Sequence, residues 1–570
     1  MRLPPLRTRV VTAEQMAALD RATIQGRGVP SLALMERAGR EVARRATSWW
    51  RETGARYGRP GSAAGESGSA TAPEARSRAA ARGAKGAAAR RISTGGQVII
   101  LAGPGNNGGD GFVVARYLKS AGFAVRVLVA AAENAISTDA AANRDACVRA
   151  RIPVTFLPDP RAWGPAAEAA VAGRGAVFLV DALLGTGSKG APRGAVAAAI
   201  EMAGETGRPI VSIDIPSGVD ASTGHAESPA IRAALTVTLG LPKLGQVLEP
   251  GKSHAGALET ADIGIPADLV ADQPPALLIA DAAWVRSLLP VRPTYAHKGS
   301  MGRVLVVGGS AGMMGAAAMT GESVLRSGAG YAVAAVPRSC VDALEARVAE
   351  VVKRGMPETD ARTLARAALD PILEEAMRAD VVAIGPGASR HPETEELIRE
   401  LVERVDCPIV LDADGLNAFE GRSLPRRRAP LIVSPHYGEA ARLAGATVAD
   451  VARDPAGWAR RFATSSGAIV CLKATPMITA APGEPLILNA TGNAGMATAG
   501  AGDSLTGAIS GLLAQGMEAA EAAAAGCYVH GLAGDVAARR KGMRGMIAGD
   551  IKDAIPAALL SLEIGAMDER

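Results

Sequence analysis

The sequence predicts an α/β protein made of two doubly wound α/β/α domains. Three observations carry that reading. Short apolar strands alternate with helix-patterned runs along most of the chain, as in parallel βαβ units. Many strands run straight into Gly, Asp, Asn or Ser, so polar groups collect at one edge of each sheet, where such folds bind ligands. Between the two series an Asp- and Pro-rich stretch, 266–281, reads as a domain link. The 570 residues suffice for two cores, and domains of 1–270 and 283–570 are expected.

Residues 11–46 read as two helices parted at 26–30. Thr12 precedes a run through Met16, Leu19 and Ile24, and Ser31 is expected to cap a run through Leu34, Met35 and Val42. Residues 51–96 then turn to Gly, Ala, Ser and Arg with almost no branched apolar side chain. Such a segment cannot bury enough surface to offset its ordering entropy, and a disordered or loosely held insertion is expected. Gln97-Val-Ile-Ile-Leu-Ala102 is a buried strand that enters Gly103-Pro-Gly-Asn-Asn-Gly-Gly-Asp-Gly111, ahead of a helix over 112–120 and a strand over 124–130. Taken literally, Gly103, Gly105 and Gly108 form G-x-G-x-x-G with Glu133 placed for a ribose, so a redox dinucleotide site is one reading. It leaves Asn106, Asn107 and Asp110 without a purpose, since hydride transfer gains nothing from two amides and a carboxylate in the turn.

Later strands account for those residues better. Ala176-Val-Phe-Leu-Val-Asp181 and Pro209-Ile-Val-Ser-Ile-Asp214 both end in a carboxylate; Gly185-Thr-Gly-Ser-Lys-Gly190 follows the first and Ile215-Pro-Ser217 the second. A parallel sheet can bring Asn107, Asp181, Asp214 and Ser217 to one crevice. Singly, each aspartate is as easily a cap or turn former. Together, hard oxygens with little formal charge suit a weakly charged cation better than a divalent one.

Asn106-Asn-Gly-Gly-Asp-Gly111, Val180-Asp-Ala-Leu-Leu-Gly-Thr-Gly187 and Ile213-Asp-Ile-Pro-Ser-Gly218 resemble the signature loops of the NAD(P)H-hydrate epimerases. The helices with Leu19-Asp20 and Leu34-Met-Glu-Arg-Ala-Gly39 resemble that family's opening. The resemblance implies a Rossmann-like domain with substrate contacts at Asn106, Asn107, Gly108, Gly109, Asp110, Gly185, Thr186, Gly187, Ser188, Lys189, Gly190, Ala191 and Asp214. It also implies a potassium ion held by Asn107, Asp181 and Ser217. Hydrated NAD(P)H carries a hydroxyl beside the ring nitrogen, which can expel it to an iminium that water re-enters on the other face. One acid/base carboxylate can assist both steps, and Asp214 is the candidate.

In the second half, strand-to-polar edges recur. They are Arg303-Val-Leu-Val-Val-Gly-Gly309, Val381-Val-Ala-Ile-Gly-Pro-Gly387, Ile409-Val-Leu-Asp-Ala-Asp-Gly-Leu-Asn417 and Leu431-Ile-Val-Ser-Pro-His-Tyr-Gly-Glu439. Ile469-Val-Cys-Leu-Lys473 is the last clear strand. After it, Asn489-Ala-Thr-Gly-Asn-Ala-Gly-Met-Ala-Thr-Ala-Gly-Ala-Gly-Asp503 offers almost nothing to a core and feeds an apolar, helix-patterned run over 505–513. Unobstructed backbone N–H groups beside a helix N-terminus suit a phosphate. A carboxylate there is either the helix cap or a base for a hydroxyl that attacks phosphorus, and Asp503 is read as the base. His436 is read as a substrate contact over a structural histidine. Lys473 is placed to meet a phosphate, with a solvated lysine as the alternative.

These segments resemble the ADP-dependent NAD(P)H-hydrate dehydratases, a branch of the ribokinase-like fold. The matching words are His297-Lys-Gly, Gly385-Pro-Gly, Asp412-Ala-Asp-Gly-Leu-Asn417, Pro435-His-Tyr-Gly-Glu439 and the Thr491-Gly-Asn run. The resemblance implies hydrate contacts at Gly387, His436 and Asp503, and nucleotide contacts at Lys473, Ala474, Thr475, Pro476, Met477 and Gly502. Where the family usually has Lys-Gly-Ala-Thr, this chain has Lys473-Ala-Thr-Pro. ADP is the implied phosphoryl donor, with magnesium arriving on the nucleotide.

Composition excludes other classes. A net charge of +5 spread over the chain, with 3% aromatic residues, does not describe a nucleic-acid binder, and Arg426-Arg-Arg428 reads as a solvated loop. An apolar run long enough for a bilayer is missing, and five cysteines without close pairing fit a reducing, cytoplasmic setting. The expected protein is a homo-oligomer acting on NADHX, NADPHX and ADP. A ribokinase-like small-molecule kinase fused to a redox or non-catalytic Rossmann-like domain is the alternative.

Overall fold

The structure, a computed structural model, describes residues 9–57, 96–166 and 176–564. They divide into two compact units, Val11–Gln273 and a second that joins Arg9–Val10 to residues 274–564. The two-residue strand Arg9–Val10 (β1) belongs to the second unit.

The first unit is built on seven parallel strands: Gln97–Ala102 (β2), Ala124–Val129 (β3), Val154–Phe156 (β4), Ala176–Ala182 (β5), Ile210–Ile213 (β6), Leu235–Leu239 (β7) and Ala257–Ala261 (β8). Their order is β4-β3-β2-β5-β6-β7-β8. The chain leaves β2 for β3 on one side and later returns to β5 on the other, so the crevice beyond the carboxyl ends of β2 and β5 is the switch point where such sheets bind ligands. Alternate residues of β2 serve the two faces. Val98 and Ile100 join Phe112, Val42 and Trp50, whereas Ile99 and Leu101 join Trp163 and Leu179.

Thr12 caps Ala13–Arg21 through a reciprocal pair with Gln15. Ser31 does not cap as expected: it opens the helix Ser31–Tyr57, its hydroxyl donates to Asp139, and the Pro30 carbonyl takes the Ala33 and Leu34 amides. That helix also runs past residue 51, because Trp49 and Trp50 pack on Phe178 at 6.5 and 5.7 Å between ring centres. The rest of the expected insertion, 58–95, lies outside the described residues. The helix expected from residue 112 begins at Asn106, so its glycines are helical. They permit close packing: a Cβ at Gly108 would stand 2.0 Å from the Gly103 carbonyl oxygen, and one at Gly111 2.7 Å from the Ala182 Cβ.

The second unit carries Leu277–Ala280 (β9), Arg303–Val307 (β10), Tyr331–Pro337 (β11), Val352–Met356 (β12), Val381–Ile384 (β13), Ile409–Leu411 (β14), Leu431–Val433 (β15), Ile469–Leu472 (β16), Ile478–Ala480 (β17) and Leu486–Asn489 (β18). With β1 they form one sheet in the order β1-β9-β18-β17-β16-β15-β14-β13-β10-β11-β12, parallel from β12 to β16. The expected link thus contributes a strand. Leu277, Leu278 and Ile279 pair with Leu486, Ile487 and Leu488, since an apolar run after Pro274-Pro275 is better buried than left as a tether. The helix expected from residue 505 begins at Ala501 behind Gly500 and packs on Met314–Arg326. Cβ atoms at Gly507 and Gly511 would lie 2.4 and 2.6 Å from the carbonyl oxygens of Thr320 and Val324, so the bare residues set that approach. Arg427 is not a solvated loop residue: its guanidinium donates to the carbonyls of Val402, in the last turn of the helix Pro392–Arg404, and of Val405 and Cys407 just past it.

Candidate active sites

The switch point of the first sheet opens into a cavity of about 690 Å³. Asn106, Asn107, Asp110, Gly185, Thr186, Gly187, Ser188 and Asp214 all line it, as expected from the sequence. Gly108 and Gly109 do not; they are buried in the helix, where a Cβ on Gly109 would meet Met35 Sδ at 2.7 Å. Lys189, Gly190 and Ala191 also fall outside its lining, and the exposed Lys189 ammonium stands 3.4 Å from Glu14.

Asp181, on β5, is fully buried. Its Oδ1 accepts from Ser217 Oγ (2.6 Å) and Leu183 N (3.3 Å), and its Oδ2 from Ser217 N and Ser212 Oγ (both 2.9 Å). Burial raises its pKa against these neutral donors, and no described side chain supplies a counter-charge. Asn107 donates to the Leu184 carbonyl at 2.7 Å, which leaves its own amide oxygen available, and Leu184 N donates to Ser217 Oγ at 3.0 Å. An unpaired buried carboxylate beside neutral oxygens fits a monovalent cation.

Asp214 follows β6 with φ +63°, a conformation uncommon outside glycine and worth a functional reading. Its Oδ1 accepts from the Lys243 ammonium, from Leu239 N at 3.0 Å and from Thr238 Oγ1 at 3.4 Å. Lys243 is itself fully buried and donates to Thr238 Oγ1 (3.0 Å) and the Leu239 carbonyl (2.7 Å). Gln246 ties the pair together, donating to the Asp214 carbonyl and accepting from Lys243 N at 2.8 Å. Sequence reasoning missed Lys243 and Gln246. The signal was a weak one, since Lys243 comes only after Gly240-Leu-Pro242 beyond the end of β7, whereas Asp214 follows β6 directly. Asp20 and Asp110 complete the cluster. Burial raises both carboxyls, Asp20 to about 6, with Asp214 adding to each shift and Lys243 opposing that of Asp20.

In the second unit, polar residues gather beyond β13, β14, β15 and β16, facing the start of the helix Ala501–Ala514. Asp503 sits in its first turn while Gly500, in the left-handed region, holds the cap position, so the carboxyl is not the cap. Lys473 Nζ lies 2.5 Å from Asp412 Oδ1, and Thr506 Oγ1 donates to Asp412 Oδ2 at 2.7 Å. Burial works against the Lys473 ammonium, but Asp412, Glu439 and Asp503 outweigh it and raise its pKa. Burial, then Asp412, pushes Asp503 up to about 7 against the pull of Lys473.

His436 caps Tyr437–Ala444: its Nδ1 accepts from Gly438 N (2.9 Å) and Glu439 N (3.3 Å), and Glu439 accepts from His436 N at 2.8 Å. Two donors on Nδ1 leave the proton on Nε2, which lies 3.5 Å from Glu439 Oε1, so the half-exposed ring is both a cap and a neutral donor. Burial, Lys473 and Arg442 lower its pKa, keeping it neutral. Gly387 is buried with φ +63°, its carbonyl accepting from Ser310 Oγ at 2.9 Å. Of the expected nucleotide segment, Thr475 is exposed and Ala474 half-buried, whereas Pro476 is buried and Met477 packs against the core. A Cβ at Gly502 would lie 3.1 Å from Lys473 Nζ.

The Thr491–Asn493 turn was legible only as a bare loop. Its anchors lie on the helix Ala519–Lys541: Asp535 accepts from Gly492 N (3.0 Å) and Asn493 Nδ2 (2.9 Å), and Thr491 Oγ1 donates to the Tyr528 carbonyl at 2.8 Å. Asp535→Ala is expected to free this loop and lower stability by about 1–3 kcal/mol, measured by thermal melting. His530, on the same helix, is buried, and burial with Lys473 pushes its pKa down to about 4.

A cavity of carboxyls at a sheet switch point, and a helix-start cradle guarded by a carboxyl and a lysine, define a two-site enzyme for phosphate-bearing small molecules. The chain belongs to the family of bifunctional NAD(P)H-hydrate repair enzymes. Residues 31–245 match the family described as YjeF-related protein N-terminus, and residues 304–557 match NAD(P)H-hydrate dehydratase. The chain is 42% identical to the bifunctional NAD(P)H-hydrate repair enzyme of Moorella thermoacetica over 97% of both chains. It is 36% identical to that of Thermofilum pendens over 97% of both, and 36% identical to that of Escherichia coli over 80% of this chain and 83% of the other. A solved Bacillus subtilis ADP/ATP-dependent NAD(P)H-hydrate dehydratase, co-crystallized with ATP and magnesium, is 27% identical, covering 50% of this chain and 97% of that one at a TM-score of 0.44. Among the described residues no helix is long and apolar enough to cross a membrane.

Proposed function

We propose that this protein repairs hydrated NADH and NADPH. The first unit interconverts the R and S epimers of NADHX and NADPHX. The second dehydrates the S epimer in an ADP-dependent reaction that yields NAD(P)H, AMP and phosphate. The observation that carries this reading is that one chain, 42% identical along its length to a named bifunctional repair enzyme, builds both the Asp214 cavity and the Asp503 cradle.

In the first unit, Asp214 lies at the cavity wall with its charge compensated by Lys243, positioned to hold an iminium ring. Asn107, Asp181 and Ser217 would hold a potassium ion, whose charge would offset Asp181 and stabilise the loop around Leu184. In the second unit, Asp503 takes the proton of the hydrate's hydroxyl. That oxygen bonds to the terminal phosphorus of ADP as the bond to AMP breaks, and phosphate then leaves with the C–O electrons while the adjacent carbon loses a proton. First-turn amides and Lys473 stabilise the charge on the phosphoryl group in transit. Among the described residues no group of three or more acidic, histidine or cysteine side chains forms a metal cage, so magnesium is assigned to the nucleotide phosphates.

Because Asp503 acts ionised, dehydration at saturating ADP is expected to rise with pH through about 7, and the initial-rate profile checks this. Racemic NADHX with ADP should be consumed completely, with reduced nicotinamide absorbance returning. Survival of one epimer would remove the epimerase assignment, and a stable phosphorylated product would favour the kinase alternative. Five free cysteines, four of them buried, support a cytoplasmic setting, and a homo-oligomer is the expected assembly, testable by light scattering.

A further inference from the structure

We propose that Asp20 is the proton carrier of the epimerase site, working beside an Asp214 carboxylate that Lys243 holds charge-paired. The proposal rests on the epimerase reading of the first unit.

Epimerisation needs a group that can give a proton to a departing hydroxyl and take one back from an arriving water. Asp214 lines the cavity with one of its two carboxylate oxygens already committed. Its Oδ1 receives the Lys243 ammonium, the Leu239 amide and the Thr238 hydroxyl, and the ammonium's other bonds go to Thr238 and the Leu239 carbonyl. With Oδ1 committed to these fixed donors and paired with the ammonium, Asp214 suits positioning the ring rather than carrying a proton to and from it.

Asp20 differs on each count. It comes from the helix Ala13–Arg21, not from the sheet edge, and it lines the same cavity as Asp214 and Lys243. Its carboxyl makes no hydrogen bond or ion pair among the described residues, so either protonation state can turn to a ligand or a water. The charged groups that act on it are Lys243, Asp214, Arg21 and the neighbouring Asp110. Burial outweighs the two cations and brings it to about 6, close to the pH at which a proton carrier works best. Asp110 is raised as well, but it is more deeply buried.

The step balances as follows. The Asp20 carboxyl gives its proton to the hydroxyl on the carbon beside the ring nitrogen. The C–O bond breaks, its electron pair leaving with water, and the nitrogen lone pair closes a C=N bond. Water then adds to the other face, the C=N pair returns to nitrogen, and the proton that water loses goes back to Asp20.

The test uses the full-length protein with R-NADHX, and supplies S-NADHX with ADP as the internal control. Asp20→Asn should lower epimerisation kcat by about 100-fold or more. KM for the hydrate and dehydration of S-NADHX should stay unchanged, and Asp20→Glu should restore part of the rate. Wild-type epimerisation should fall as pH rises above about 6, and Asp20→Asn should lose that limb. Epimerisation by Asp20→Asn at the wild-type rate, a loss confined to KM, or a wild-type profile without the descending limb would overturn the assignment. A wild-type protein that does not epimerise at all would instead remove the functional reading of the unit.

Discussion

Asp503→Asn is expected to abolish ADP-dependent dehydration, by about 100- to 10,000-fold in kcat, while epimerisation in the same preparation proceeds unchanged. The carboxyl stands in the first turn of Ala501–Ala514, with Lys473 and Asp412 acting on it, and the proposed reaction makes it the base for the hydroxyl that attacks phosphorus. Asparagine keeps the shape and removes the base. The same substitution separates catalysis from folding through its pH dependence. Burial and Asp412 raise the Asp503 pKa from 3.8 to about 7, so the folded state holds a proton that the unfolded chain has released. Its contribution to stability is therefore full below about 4 and is lost as pH rises through about 7. Asp503→Asn should melt above the wild type at pH 8, with the gap closing toward pH 4. Dehydration persisting in this variant would show that the cradle has another base.

The second large effect is expected from Lys243→Met. The lysine side chain has no exposed surface and that of Asp214 only 12%, so removing the ammonium strands a nearly buried carboxylate. Losing one partner of such a pair costs about 3–5 kcal/mol, a large share of a domain's stability. The first unit should unfold earlier in urea and lose epimerisation, while dehydration of S-NADHX persists at temperatures where the second unit remains folded. Combining Lys243→Met with Asp214→Asn should recover much of the stability and none of the epimerisation. If Lys243→Met alone unfolds like the wild type, the pair does not anchor the first unit electrostatically.

The strand-end residues were the part of both sites most open to reading. Asp181, Asp214 and Lys473 each follow or close an apolar run of four to seven residues, and a parallel sheet delivers such positions to one edge whatever lies between them. Glycine was harder to read. The Asn106–Gly111 stretch looks like a loop because glycine is a poor helix former, yet it is helical, since only bare backbone fits against Gly103 and Ala182. His436 shows a second limit. Its position at a strand end was legible, but its double use as helix cap and half-exposed donor depends on the direction of the next helix.

What the sequence determined by itself was the alternation of strand and helix and the chemical character of each sheet edge, because these follow from periodicities and strand ends within short windows. The tertiary structure alone decided that Lys243 neutralises Asp214, that Asp20 enters the cavity from a helix far upstream, and that Asp535 holds the Thr491–Asn493 turn. Those outcomes depend on burial and on the approach of groups 29, 194 and 43 residues apart, measured for Asp20 against Asp214 in the second case, and a local pattern carries neither. Charge in a low-dielectric interior is set by its neighbours in space, and only the folded chain chooses them.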